Sequence, residues 1–218
     1  MSFKFIPMIC ATSVVQSLLE NRKSQTRRLQ GLENIDPRAN EIVKDNQFPF
    51  EGKWISRSRL ETVEERYEIF DVIKCPYGEV GDVLWVRETF YEEGFEGNYV
   101  YKAPNGTLLT DYDRWKPSIH MPKEAARLFY KITSIHVERL QNITEEDAIA
   151  EGVVKHSDYG STGYVNYLSP HEAVTDIDAV WSFGTLWESI YGRGSWLKNP
   201  WVWVIKFEKI EQPENFLS

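Results

Sequence analysis

The sequence contains few cysteines and few histidines. Its two cysteines, Cys10 and Cys75, lie far apart in a chain of 218 residues. Neither belongs to a Cys-x-x-Cys pair, and the four histidines do not have the spacing of metal ligands. We therefore expect no disulfide framework, no metal centre and no cofactor. A reducing cytoplasm is the expected compartment for such a chain.

The sequence also lacks long apolar runs. No segment reaches the about 18 consecutive apolar residues of a membrane span, so no membrane partner is expected. The apolar start of the chain is interrupted by Pro7 and by polar residues, which argues against a signal peptide. No internal repeat is present. The length and the 42% hydrophobic content favour a single domain over residues 1–218, and the sequence defines no oligomeric state.

Positive charge is scarce overall and concentrated near the start of the chain. The formal net charge is −8, whereas proteins that coat nucleic acids are usually basic. Residues 1–60 hold 10 Lys and Arg against 6 Asp and Glu, a net +4, and the remainder holds 15 against 27. This distribution is compatible with a localised anion site and excludes tight, non-specific coating of DNA.

Hydrophobic periodicity predicts short strands with helices between them. Thr12 or Ser13 is the expected N-cap of the first helix, and Thr144 is the expected N-cap of the second. Helices are predicted over "TSVVQSLLEN", "NITEEDAIAEGV" and "AVTDIDAVWSFGTLWESIYG". Strands are predicted over "FKFIPMIC", "VLWVRETF", "NYVYKA", the alternating segment that ends near Leu140, and "PWVWVIKFEKI".

This order of elements predicts an α+β fold, built as a closed or half-closed barrel with helices at its side. In the third helix, Trp181, Leu186 and Ile190 are expected to share a face. Residues 29–74 are treated as an insertion, in which "ETVEERYEIFDVIK" is compatible with either a strand or a helix.

The segment "ENRKSQTRR" concentrates cations in an acidic protein. Arg22, Lys23, Arg27 and Arg28 fall within seven residues, and Thr26 follows Lys23 by three positions. One interpretation is purely structural, because cations that follow a helix C-terminus interact favourably with its dipole, and a threonine is common in turns. The other interpretation is a site that binds an anion or performs chemistry.

The same segment resembles the Gly-x-Lys-x-x-Thr-x-Arg signature of ASCH domains. Lys23, Thr26 and Arg28 match the Lys, Thr and Arg of that family, and Asn21 replaces its Gly. The segments "VGDVLWV", "ITEEDAIAEGV" and "WVWVIKFEKI" resemble later family landmarks, in the same order. The chain looks like the longer ASCH proteins of bacteriophages and prophages, with insertions at about 29–74 and 88–120.

The resemblance implies a PUA-like β-barrel flanked by helices, in the cytoplasm of a bacterial or phage-infected cell. Compact bacterial ASCH enzymes hydrolyse the N4-acyl amide of acetylated cytidine with a Thr, a Lys and a Glu. The matching residues are Thr26, Lys23 and Glu151, which implies an amidohydrolase acting on a modified cytosine. Either a neutral Lys23 is the base and Glu151 moves the proton, or a charged Lys23 stabilises the oxyanion and Glu151 is the base.

Further residues are candidates for binding the substrate. The cations Arg22, Arg27 and Arg28 suit a phosphate or an oxyanion. Trp85 and Arg87 alternate along a predicted strand, so they share a face and suit base stacking. Tyr101 is a candidate to close the same pocket. The structural alternatives are a core tryptophan with a paired arginine, and a solvated Glu151.

A second functional hypothesis is a non-catalytic RNA- or DNA-binding module of phage origin, with single-stranded nucleic acid as its partner. A nuclease is a third hypothesis, although the sequence contains no evident carboxylate cluster for a metal-dependent one. The partner of the first hypothesis is a modified nucleoside. These three alternatives remain open at the level of the sequence.

Overall fold

The computed structural model describes residues 3–47, 49–60, 66–94, 97–104, 106, 114–155, 163–169 and 177–217. This part of the chain is mixed α and β structure, with ten strands and three α-helices. The strands are β1 (Phe5–Ile9), β2 (Gln25–Arg28), β3 (Glu41–Lys44), β4 (Trp54–Arg59), β5 (Tyr67–Ile73), β6 (Val83–Arg87), β7 (Phe90–Glu93), β8 (Asn98–Tyr101), β9 (Phe129–Arg139) and β10 (Trp201–Ile210). The helices are α1 (Thr12–Leu19), α2 (Glu145–Ala150) and α3 (Ala179–Tyr191).

The chain divides into two compact units. Unit 1 comprises Met1–Ser24, Gly78–Thr133 and Lys206–Ser218, and unit 2 comprises Gln25–Tyr77 and Ser134–Ile205. The long strands β9 and β10 each contribute one part to unit 1 and one part to unit 2.

Unit 1 is a sheet with the strand order β1-β6-β9-β10, together with the β7-β8 hairpin and α1. Strand β1 runs parallel to β6, and β6 runs antiparallel to β9. An aromatic core lies on this sheet, where the Phe216 ring is edge-on to Phe129 at 4.8 Å and to Phe5 at 5.0 Å between ring centroids. Edge-to-face aromatic pairs at this spacing add to the stabilisation from burial.

The turn that precedes β6 is organised by Asp82. This buried carboxylate accepts hydrogen bonds from the backbone N–H of Lys4 at 2.8 Å and of Glu79 at 2.9 Å. One carboxylate oxygen therefore binds the backbone near the start of the chain, and the other binds the backbone of the turn. The Gly-Asp pair in "VGDVLWV" has this structural role.

Unit 2 contains the strand order β9-β10-β2, a separate antiparallel sheet β3-β4-β5, and helices α2 and α3. Trp201 to Ile205 of β10 are all buried, as their unbroken apolar run predicts for a strand covered on both faces. The Trp203 indole is edge-on to Trp54 at 5.1 Å, and its Nε1 donates to the Gln30 carbonyl at 3.1 Å. A core of apolar side chains from α2, α3 and β10 fills this unit.

The predicted α+β class is confirmed in its coarse form. The strands over β1, β6, β8, β9 and β10 and the three helices occur where the periodicity places them. Within the described part of the chain, no sheet closes on itself as a barrel. Residues 67–73 of the uncertain segment are a strand, while 61–65 lie outside the described residues.

One local prediction is wrong, and two features of the fold were not predicted. Ala11 is the N-cap of α1, in place of Thr12 or Ser13, and it forms no side-chain capping bond. The face of α3 that carries Trp181 and Ile190 is exposed, because Phe183, Gly184 and Trp187 supply the buried side. Strand β2 was not predicted, since it is only four residues long and polar.

The turn after α1 holds an asparagine in a backbone conformation that is uncommon for residues other than glycine. Asn21 has φ of 55°, in the left-handed region that glycine favours and that asparagine tolerates better than most residues. The backbone N–H groups of Arg22 and Lys23 both bind the Ser17 carbonyl, at 2.9 Å and 3.2 Å. The turn therefore depends on a residue that tolerates positive φ.

We expect Gly78→Ala to lower the free energy of unfolding by roughly 2–5 kcal/mol. Gly78 has φ of 87°, and a Cβ there would press against Ile6 Cδ1 and lie 2.6 Å from Asp82 Oδ2, so left-handed strain and overpacking add. The matched control is Gly52→Ala, where φ is 73° and no atom lies within 4 Å. Denaturant titration measures both losses, and equal losses would contradict the role given to the turn.

Candidate functional site

The three predicted catalytic residues are all buried polar side chains. Lys23 belongs to unit 1 and is 7% exposed, while Thr26 and Glu151 belong to unit 2 and are each 4% exposed. Thr26 lies in β2 and not in a turn, and Glu151 is not a solvated acid. These two structural alternatives are therefore wrong. Burying such groups is costly unless other groups compensate them, so their burial calls for a specific cause.

Side chains alternate between the two faces of β2. Gln25 and Arg27 point to one face, and Thr26 and Arg28 point to the other. Gln25 Nε2 donates to the Asp147 carbonyl of α2 at 2.9 Å, so α2 lies on the Gln25 and Arg27 face. Gln25 and Arg27 therefore lie in a different environment from Thr26 and Arg28.

Arg27 is the centre of a buried ion-pair network in unit 2. Its guanidinium donates to Glu138 at 2.6 Å, to Asp147 at 3.0 Å and to Glu151 at 3.1 Å, and its side chain is 0% exposed. The Phe183 ring centroid lies 5.9 Å from Arg27 Cζ. The guanidinium is thus directed into the protein, where it holds a predicted site residue, Glu151.

Helix α2 places Glu151 at the position that Arg27 can reach. The Thr144 hydroxyl accepts from the Asp147 N–H at 3.2 Å, as the sequence predicts, and Gly152 with φ of 90° follows the helix. Glu151 is the C-cap, where a negative charge interacts unfavourably with the helix dipole. The ion pair with Arg27 offsets this unfavourable position.

Glu138 of β9 is a partly buried member of this network, and its pKa is lowered. Its partial burial favours the neutral form, but the neighbouring His136 and Arg27 side chains outweigh this effect and hold the pKa of Glu138 below its usual value. The His136 Nε2 atom lies 3.7 Å from Glu138 Oε2, so this pair is ionic only when His136 is protonated. Arg27 therefore has an ionised partner on β9 at neutral pH.

Arg28 of β2 influences the titration of two tyrosines in unit 2. Burial raises the pKa of Tyr77 to about 12 and also raises the pKa of Tyr191, while the positive charge of Arg28 opposes both shifts. The Glu151 carboxylate acts on the Tyr191 phenol as well.

Trp85 and Arg87 belong to unit 1 and share a strand face as expected. Arg87 Cζ lies 5.5 Å from the Trp85 ring centroid, and the Arg87 guanidinium donates to the Ile119 carbonyl. Trp85 is 6% exposed, with its ring edge-on to Phe216 at 5.7 Å. The structure places Trp85 within the core, whereas a stacking platform for a base needs an exposed face.

Tyr101 and Arg22 also have defined partners in unit 1. The Tyr101 hydroxyl donates to the Ala125 carbonyl at 2.7 Å, and Arg127 Cζ lies 4.0 Å from its ring centroid. Arg22 donates to Glu20 at 2.6 Å in a partly exposed pair. A screened surface pair of this kind contributes little to stability and leaves the cation available to solvent.

Sequence reasoning missed several residues that shape the site. Asp147 could have been found, because it precedes Glu151 by four positions on a predicted helix and so shares its face. Glu138 lies in an alternating strand and gives no local signal. Tyr77 and Tyr191 are distant in sequence from the motif and were treated as general aromatic content.

Metal ligands and membrane-spanning helices can be assessed in the part of the chain that the structure describes. Among the residues that the structure describes, no group of three or more His, Cys, Asp or Glu side chains is arranged to hold a metal ion. In the same part of the chain, no helix has both the length and the apolar character needed to cross a membrane.

Comparisons with known proteins gave no match: no protein-family model, curated protein or solved structure is significantly similar to this chain.

We expect Arg27→Met to lower the free energy of unfolding by about 3–5 kcal/mol, because it leaves three carboxylates without their shared cation. The matched control in unit 2 is Arg38→Met, which removes a pair with Asp36 at 2.8 Å from a side chain that is 65% exposed. That change should cost far less, because water and salt screen an exposed pair. Urea titration at neutral pH compares the two, and a small loss for Arg27→Met would contradict the network.

Proposed function

We propose that this protein is an ASCH-type amidohydrolase that removes the acyl group from an N4-acylated cytosine nucleoside. The observation that carries the proposal is the burial of Lys23, Thr26 and Glu151. All three match the Lys, Thr and Glu of the family by sequence. Polar side chains with only a solvation role would be exposed, whereas a catalytic set is held away from bulk water.

Two further features support the family assignment. Asn21 adopts the left-handed conformation suited to the glycine position of the signature. Helix α2 is capped at Thr144 and is followed by Gly152, so Glu151 ends a helix as the resemblance implies. The proposal includes the PUA-like barrel of that family and a cytoplasmic location.

The reaction assigns one role to each buried residue. Thr26 Oγ1 attacks the acyl carbonyl carbon, and its proton passes to the Glu151 carboxylate by way of a water molecule, because Glu151 pairs with Arg27 on the other face of β2. The Lys23 ammonium stabilises the oxyanion of the tetrahedral intermediate. The bond from carbon to N4 then breaks, and Glu151 returns the proton to the leaving nitrogen. Water hydrolyses the resulting threonine ester, which releases the carboxylic acid and restores the hydroxyl.

Between the two proton routes, we favour Glu151 as the base. A lysine ammonium must first lose a proton before it can act as a base, whereas Glu151 already forms an ion pair as a carboxylate. Arg27 then serves to position Glu151 and not to bind substrate. Arg28, on the same strand face as Thr26, is the cation assigned to the nucleoside.

We expect the full chain to convert N4-acetylcytidine into cytidine and acetate. Thr26→Val, Lys23→Met and Glu151→Gln should each reduce kcat/KM by roughly 100-fold or more, because each removes a group that acts in the transition state. Thr12→Val at the start of α1 is the matched control and should keep full activity. Chromatographic separation of the two nucleosides measures turnover.

Absence of turnover by the parent chain would overturn the hydrolase proposal. Turnover that survives Thr26→Val unchanged would also overturn it, because the ester step requires that hydroxyl. A chain that binds nucleic acid in a salt-dependent manner without any turnover would instead act as a binding module.

A further inference from the structure

Helix α3 carries an aromatic ladder in unit 2, formed by Phe183, Trp187 and Tyr191. Intervals of four residues place the three rings on one face of the helix. The ring centroids of Phe183 and Trp187 are 6.3 Å apart, and those of Trp187 and Tyr191 are 4.1 Å apart with an interplanar angle of 29°. Because Arg27 lies over Phe183, the ladder runs from the buried ion-pair network to the end of the helix.

The exposure of the ladder changes sharply at its last ring. Phe183 and Trp187 are each 3% exposed, whereas Tyr191 is 39% exposed. Trp187 stacks on one side of the Tyr191 ring and restrains it, and the helix ends at Gly192 directly after it. A ring that is already held in place loses little conformational freedom when a second flat ring stacks on it.

The surroundings of Tyr191 suit the edge of a cytosine. The charges of Arg28, Glu151 and Glu33 all act on its phenol. A carboxylate accepts from the exocyclic amino group of cytosine, and a guanidinium donates to carbonyl or phosphate oxygens. Within the described residues, the buried Trp187 Nε1, in the ring that stacks on Tyr191, has no hydrogen-bond partner.

We propose that the exposed face of Tyr191 is the stacking platform for the pyrimidine ring of a cytosine nucleoside. The proposal rests on the proposed function for the identity of the ligand, and it adds the residue that holds the base. Tyr191 makes this contact through the ring and not through the hydroxyl. It is a binding residue, so its loss weakens binding of the nucleoside whether or not hydrolysis follows.

The test is titration calorimetry of the full chain with cytidine and with N4-acetylcytidine. Tyr191→Leu should weaken binding roughly tenfold or more, which is the effect of losing one base–aromatic stack. Tyr191→Phe keeps the ring and should bind as the parent does. Tyr67→Leu is the matched control, because Tyr67 is 38% exposed in the same unit but packs under Arg57 at 3.8 Å.

The outcomes separate this proposal from the hydrolase proposal. Binding of cytidine that Tyr191→Leu weakens and Tyr67→Leu does not supports the platform, even if the parent shows no turnover. The platform is overturned if the parent binds neither nucleoside. It is also overturned if Tyr191→Leu binds cytidine as tightly as the parent does. Equal losses in Tyr191→Leu and Tyr191→Phe would also overturn it, because the hydroxyl would then make the contact. Thermal unfolding of each variant shows whether it is folded.

Discussion

The ion-pair network of Arg27 is the interaction on which unit 2 depends. One guanidinium with no exposure to solvent joins β2 to a carboxylate of β9 and to two carboxylates at α2. A buried cation without partners would be strongly destabilising, so the network specifies how these three elements meet. The same contact fixes Glu151 at the C-terminus of α2, where the helix dipole alone would disfavour it.

This arrangement gives the basic motif two separate roles. Alternation along β2 directs Arg27 inward as a support, while Thr26 and Arg28 face the opposite side of the strand. The charges of Arg28 and Glu151 both act on the Tyr191 phenol. Tyr191 is itself partly exposed, whereas Arg27 is buried.

Much of the fold follows from periodicity, and less of the site does. Apolar runs and alternation predict β6, β9 and β10, and the Thr144 cap predicts α2, because these signals are local in sequence. The pairing of Arg27 with Glu138 joins residues 111 positions apart and has no local signal. Arg27 was expected to bind substrate because a charge pattern does not reveal which side of a short polar strand a residue occupies.

The central claim is that Arg27 holds Glu151 in place, and a double-mutant cycle tests it most directly. The free energy of unfolding is measured by urea titration for the parent, Arg27→Met, Glu151→Gln and the double variant. We predict a coupling energy of about 1–3 kcal/mol, in the range of residues that share an ion-pair network. Losses that add within about 0.5 kcal/mol would mean that the two side chains are independent and would contradict the account.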